Sequence, residues 1–198
     1  MFSIYFHLIL FGFGCLLLHV LAKPQLNEDC ELNAADTMHD FCCELHEESS
    51  EFTECQMDWF SKLEPNNEQL EQAYMFCTAE CAFNATEYLA GNRQSLNLRR
   101  IKEHLEDELD SKAEQKQLYE TYVKCDKHAL SLLRHKGVQA IAKHLTTHGC
   151  HVYPGLVLEC VANEMILHCP AERFSKVAQC RATRDYLRQC FAYLKYKT

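Results

Sequence analysis

Thirteen of the 198 residues are cysteine, and that count restricts the fold more than any other feature. Reducing compartments keep thiols unpaired, so a chain of this size with so many belongs in an oxidising one. Cys15 lies in an apolar N-terminal run, Phe2 to Ala22, where only His7 and His19 titrate near neutral pH. The stretch from Leu8 to Leu18 suits a signal-peptide core, and Val20-Leu21-Ala22 offers a cleavage site ahead of Lys23-Pro24. The run is also long enough for a membrane anchor. Cleavage after Ala22, however, removes Cys15 and leaves twelve cysteines, an even set that can pair completely. The expectation is a cleaved signal peptide over 1–22 and one secreted, extracellular domain over 23–198. No membrane insertion is expected after cleavage.

Composition narrows the class further. Six Gly and four Pro are too few for repeated hairpins, and 47% hydrophobic residues exclude a wholly disordered chain. The formal charge of −8, with no basic run, removes nucleic acid from the partners, because a polyanion needs a cationic footprint. Apolar residues recur with a helical period nearly throughout. Helices are expected over 35–48, 52–62, 68–90, 96–109, 112–136, 138–148, 155–167 and 171–194. Asn67 is expected to cap the third, with Gly91 stopping it. Ser111-Lys112-Ala113-Glu114 is a capping box, Gly137 and Gly149 are expected stops, and Pro170 suits a first turn. No segment alternates with period 2, and no repeat or linker divides the chain. The reading is all-α: a single disulfide-rich domain of about seven to eight helices.

The cysteine spacing carries the most information. Cys77 and Cys81 lie four apart on one helix and point the same way, so each can staple a neighbouring helix. Cys42 and Cys43 are adjacent and point apart, so each needs a distant partner. No C-x2-C pair is present, which argues against a metal site. Spacing alone leaves the connectivity open.

Cys77-x3-Cys81, Cys125 and Cys160-x8-Cys169 resemble the core of the insect odorant-binding protein family (PBP/GOBP). Cys150-x9-Cys160-x8-Cys169-Pro170-x9-Cys180, together with Cys81-Ala82-Phe83-Asn84, resembles its twelve-cysteine Plus-C branch. The likeness spans about residues 30–190. It implies a helical shell around an apolar cavity that carries odorants, pheromones or similar small hydrophobic molecules through aqueous fluid. A chemosensory receptor is the implied recipient. It also implies three core bridges, Cys55–Cys81, Cys77–Cys160 and Cys125–Cys169. Cys30, Cys42, Cys43, Cys150, Cys180 and Cys190 pair in an order left open. Monomer and weak homodimer are both compatible with it, and neither cofactor, metal nor enzymatic activity is implied.

Maintaining a cavity costs roughly 24 cal/mol per Å3. Bridges worth about 2–4 kcal/mol each offset that cost. From periodicity, the expected ligand lining is Tyr74, Phe83, Tyr88, Leu118, Tyr122, Leu132, Met165 and Phe174. The hydroxyls of Tyr88 and Tyr122 would orient a polar end. Ordinary core packing is the bland reading of each of these residues. The alternative function is an extracellular protein-binding factor on the same scaffold, its pocket filled or displaced.

Three weaker motifs remain. Asn84-Ala85-Thr86 is a glycosylation sequon, but 77, 81, 84 and 88 share a helical stripe. Asn84 is therefore expected to face inward and stay unmodified. His144, His148 and His151 are spaced like metal ligands, yet a solvated helix end explains them as well. Nine histidines after cleavage suggest weaker ligand binding at mildly acidic pH. Cys42-Cys43-Glu44-Leu45-His46-Glu47 is similar to a secreted phospholipase helix. The glycine-rich calcium loop which that chemistry needs is missing, so His46 is not read as catalytic.

Overall fold

In a computed structural model of the whole chain, residues 42–43, 50–62 and 68–196 are described. The apolar leader, Cys15, Cys30, His46, the Asn67 cap and most of the expected 35–48 helix lie outside them. The described residues contain seven α-helices and no strand: α1 (Ser50–Phe60), α2 (Glu68–Ala85), α3 (Leu98–Glu108), α4 (Lys112–Leu132), α5 (Lys136–Thr146), α6 (Val152–Leu167) and α7 (Ala178–Tyr196). All belong to one compact unit, 37–198. The protein is a disulfide-rich all-α domain.

The central element is α6. From Val152 to Val157 every residue is buried, which only an element covered on all sides can support. Its main neighbours are α2 and α4. Pro154 sits in its first turn, where a missing N–H costs nothing. Gly155 matters more. A Cβ there would overlap the Phe76 ring of α2, so glycine sets how closely the two helices approach. The more amphipathic α3 buries Ile101 and Leu105 and is capped by Asn97, whose side chain accepts from Arg100 N–H at 3.3 Å. The expected capping residue of α4 is in place: Ser111 Oγ accepts from Glu114 N–H at 3.4 Å.

Several helix ends differ from the periodicity reading. Helix α2 stops at Ala85, not near Gly91. Tyr88 N–H bonds Phe83 C=O at 2.8 Å and Glu87 N–H bonds Asn84 C=O at 3.1 Å. Glu87 takes the left-handed conformation, φ 61°. This is a Schellman closure with a glutamate where glycine is usual, and it brings Tyr88 back against Phe83, ring centroids 5.7 Å apart. Because the chain turns here, the stripe 77–81–84–88 is not one inward face. Cys81 is half-buried against α1, and Asn84 is exposed, contrary to the inward placement expected for it. The same motif ends α5 with a glycine. Gly149 has φ 76°, and Cys150 N–H bonds Leu145 C=O at 3.1 Å. Gly137 lies inside α5 and ends nothing. The last helix begins at Ala178, not 171. Residues 170–177 instead lie alongside Cys42–Cys43, where Cys43 bridges Phe174 and Ser175 N–H bonds Cys42 C=O at 3.1 Å.

Five bridges join described residues: Cys42–Cys180, Cys43–Cys169, Cys55–Cys81, Cys77–Cys150 and Cys125–Cys160. Cys190 is also disulfide-bonded, its partner lying outside the described residues. Cys55–Cys81 is the pair the family resemblance implies. Cys77–Cys160 and Cys125–Cys169 are not formed, and the reason is geometric. Helix α2 runs opposite to α6, so Cys77 meets the start of α6, where Cys150 stands. Cys160 lies more than about 12 Å further along the axis, beyond the span of a disulfide, and meets α4 instead. Cys169, past the end of α6, is taken by Cys43. The interleaved order of the three core bridges survives, with Cys150 and Cys160 filling its last two places.

Candidate functional site

Tyr88, delivered by the turn after α2, meets Phe83 of α2 and Tyr122 of α4 in one aromatic cluster. Phe83–Tyr122 centroids are 6.5 Å apart, and Tyr88–Tyr122 are 5.7 Å apart and nearly perpendicular, the edge-to-face arrangement aromatic quadrupoles favour. All three side chains are buried. The Tyr88 hydroxyl lies 2.7 Å from His104 Nδ1, and His104 Nε2 is 3.7 Å from Glu108. Burial pushes the Tyr88 phenol up to about 12 against the opposing pull of Arg100. Burial raises Tyr122 further, with Tyr88 beside it. The Tyr122 hydroxyl makes no hydrogen bond among the described residues.

One helical turn before Tyr122, Leu118 reaches a cleft bordered by Leu109, Leu118 and Met165 on the apolar side. Glu114, Gln117, Thr121 and Glu164 form its polar side. It has about 20 Å3 of space for a guest, little more than one water. The residues expected to line a common cavity are therefore dispersed. Leu118 and Met165 border the cleft. Phe83, Tyr88 and Tyr122 pack on one another instead. Tyr74 and Leu132 are half-buried on α2 and at the end of α4. Phe174 lies off any helix, beneath the Arg184 guanidinium, 3.2 Å from its ring centroid.

Sequence reasoning missed two buried carboxylates that hold the ends of α6. Glu80 accepts His151 N–H at 2.5 Å and His151 Nδ1 at 2.8 Å, with Arg93 Nη1 at 3.6 Å. His151 has no capping side chain of its own, so α2 supplies the anion that the N-terminus of α6 favours. Toward the other end, Glu164 pairs with Lys124 and with His168, 3.4 Å away. The available signal was a lone acid inside an otherwise apolar helical window, as in Ala79-Glu80-Cys81-Ala82 and Asn163-Glu164-Met165-Ile166. His151 is thereby drawn to Glu80. His144 and His148 stack against each other, 5.0 Å between centroids. Among the described residues no three His, Cys, Asp or Glu side chains are grouped to hold a metal ion. No helix among them is long and apolar enough to cross a membrane.

No protein-family model matches the chain, and no curated protein is similar to it.

Proposed function

We propose that the chain is an exported carrier of small hydrophobic molecules, such as odorants or pheromones, with a polar group at one end. The observation that carries this reading is the Tyr122 hydroxyl. The ring is buried in the aromatic cluster, while the hydroxyl makes no hydrogen bond to the described residues and is not one of their fully buried unpaired atoms, so it is open to a solvent molecule or to the polar end of a guest. Tyr122 lies next to Leu118, which borders the cleft. A guest entering between Leu109, Leu118 and Met165 would displace Leu118 and meet that hydroxyl. The interleaved core bridges support the same reading, since they hold α1, α2, α4 and α6 while side chains between them move. Desolvating an odorant-sized guest gains at most about 7 kcal/mol, so affinities near micromolar are expected after association costs.

A fluorescent apolar probe should bind saturably and be displaced by long-chain alcohols. Tyr122→Phe should weaken the alcohols about tenfold, the worth of one hydrogen bond, and leave the parent hydrocarbons unchanged. An equal effect on both classes would remove the hydroxyl from recognition.

The second reading is an extracellular protein-binding factor, and exposed apolar side chains favour it. Met57, Phe60 and Met75, on the hairpin of α1 and α2, are each more than 60% exposed. Absence of any saturable probe binding would select this reading.

A further inference from the structure

We infer that Asn84 is an N-glycosylation site, and that the sugar is attached before α2 and the segment behind it close. The inference rests on the proposed export through an oxidising secretory route. Asn84-Ala85-Thr86 is the one Asn-x-Ser/Thr sequence in the chain, and Ala at its centre permits transfer. In the fold, Asn84 stands in the last turn of α2 with its side chain exposed, followed by exposed Ala85 and Glu87. Its side chain makes no hydrogen bond among the described residues. A glycan there would project from a polar corner that continues through exposed Gly91, Asn92, Arg93 and Gln94.

Closure of the same corner fixes the order of events. Transfer requires the acceptor Asn and the hydroxyl two residues on to be presented together in a flexible segment. In the folded chain Thr86 is buried and its hydroxyl donates to Ala82 C=O at 2.9 Å. Its carbonyl accepts from Arg100 Nε at 3.3 Å, and Arg100 also pairs with Glu87 at 3.6 Å. The acceptor half of the sequon is thus consumed by folding, while the Asn84 side chain stays free to carry what was attached earlier. The donor is a lipid-pyrophosphate-linked oligosaccharide, used by a membrane oligosaccharyltransferase. Asn84 Nδ2 forms a bond to the anomeric carbon and the anomeric carbon–phosphate oxygen bond breaks. The lipid pyrophosphate leaves, and the amide proton passes to a base.

The test is expression of the full chain in eukaryotic secretory cells, followed by peptide N-glycosidase digestion and intact-mass measurement. Wild-type protein in the medium should lose a glycan mass on digestion, with Asn84→Asp conversion at the released site. The Asn84→Gln variant should lack that mass. Protein in the medium with unmodified Asn84 overturns the site and leaves export standing. Unmodified protein retained in the cytosol overturns both. For the order of events, folded and oxidised protein incubated with microsomal transferase and donor should stay unmodified. The reduced, unfolded chain should be modified. Equal modification of both forms overturns the claim that folding closes the sequon.

Discussion

The two ends of α6 are held by different physics. At its start, Gly155 admits the Phe76 ring, Cys150 is tied to Cys77, and Glu80 receives the leading N–H of the helix. Toward its end, Glu164 leans on Lys124 and His168, whose side chains are 43% and 64% exposed. Arg184 there binds Ile166 C=O at 3.0 Å and Cys169 C=O at 3.2 Å. Each end has a bridge nearby. The enclosed sequence separations, 73 for Cys77–Cys150 and 126 for Cys43–Cys169, differ by only about 0.5 kcal/mol in loop entropy. The bridges therefore do not make the ends unequal. Both carboxylates have partners that reach solvent; the start adds the close fit of Gly155 on Phe76 and a backbone N–H bound to Glu80, and the end beside the cleft adds the Arg184 contacts. Room for a guest is more easily made at that end.

The largest test of this contrast is Gly155→Leu. The added side chain has nowhere to go while Phe76 stays in place, and overpacking of this kind costs about 3 kcal/mol or more. The chemical-denaturation midpoint should fall accordingly. Gly155→Ala should cost less, because improved helix propensity returns about 1 kcal/mol. Adding Phe76→Ala to Gly155→Leu should restore part of the loss. No recovery in the double variant would mean that Gly155 is not set against that ring.

Next in size is Glu80→Ala, at about 2 kcal/mol. The substitution removes a charge-assisted bond to a helix N-terminus and leaves His151 N–H without its acceptor. The loss stays below that of a fully buried pair because His151 and Arg93 side chains are 42% and 55% exposed and can turn to water. Hydrogen exchange should show the first turn of α6 opening more often. Glu80→Gln should lie between wild type and Glu80→Ala.

Arg184→Ala comes third, at about 1.5 kcal/mol. It loses two bonds to carbonyls that α6 and the residues after it leave unsatisfied, together with the stack on Phe174. Arg184→Lys should recover little, since an ammonium cannot serve both carbonyls and lie flat on the ring. A lysine variant as stable as wild type would show that charge alone matters at this end.

The all-α class, the oxidised framework and the separate distant partners of Cys42 and Cys43 are legible in the sequence, because these depend on periodicity and on counting. The pairing of Cys77 and Cys125 was not legible in that way. It depends on α2 running opposite to α6, which no spacing within one helix encodes. The closure of α2 was hidden for another reason. Glu87 adopts a conformation usually signalled by glycine, and the Phe83–Tyr88 contact that repays it is visible only once the chain has turned. Leu118 and Tyr122 were found because they repeat at helical spacing on α4. Their division between cleft and aromatic cluster follows from how α3, α4 and α6 meet.

The smallest effect on stability, and the sharpest test of the contrast, is Glu164→Leu. If Glu164 were an anchor like Glu80, replacing it would strand buried charge and cost about 3 kcal/mol. Yet Lys124 and His168 already reach solvent and can leave with their charges satisfied by water. A leucine would then exchange the desolvation cost of a buried carboxylate for apolar contact with Leu118 and Met165 across the cleft. A change within about 1 kcal/mol of zero is expected, of either sign. The same substitution makes the cleft wall more apolar, so hydrocarbon probes should bind several-fold more tightly. Alcohols should gain less if the lost carboxylate was accepting from them. A large loss of stability would make the two ends equivalent, and the cleft would then have no claim to be where the shell opens.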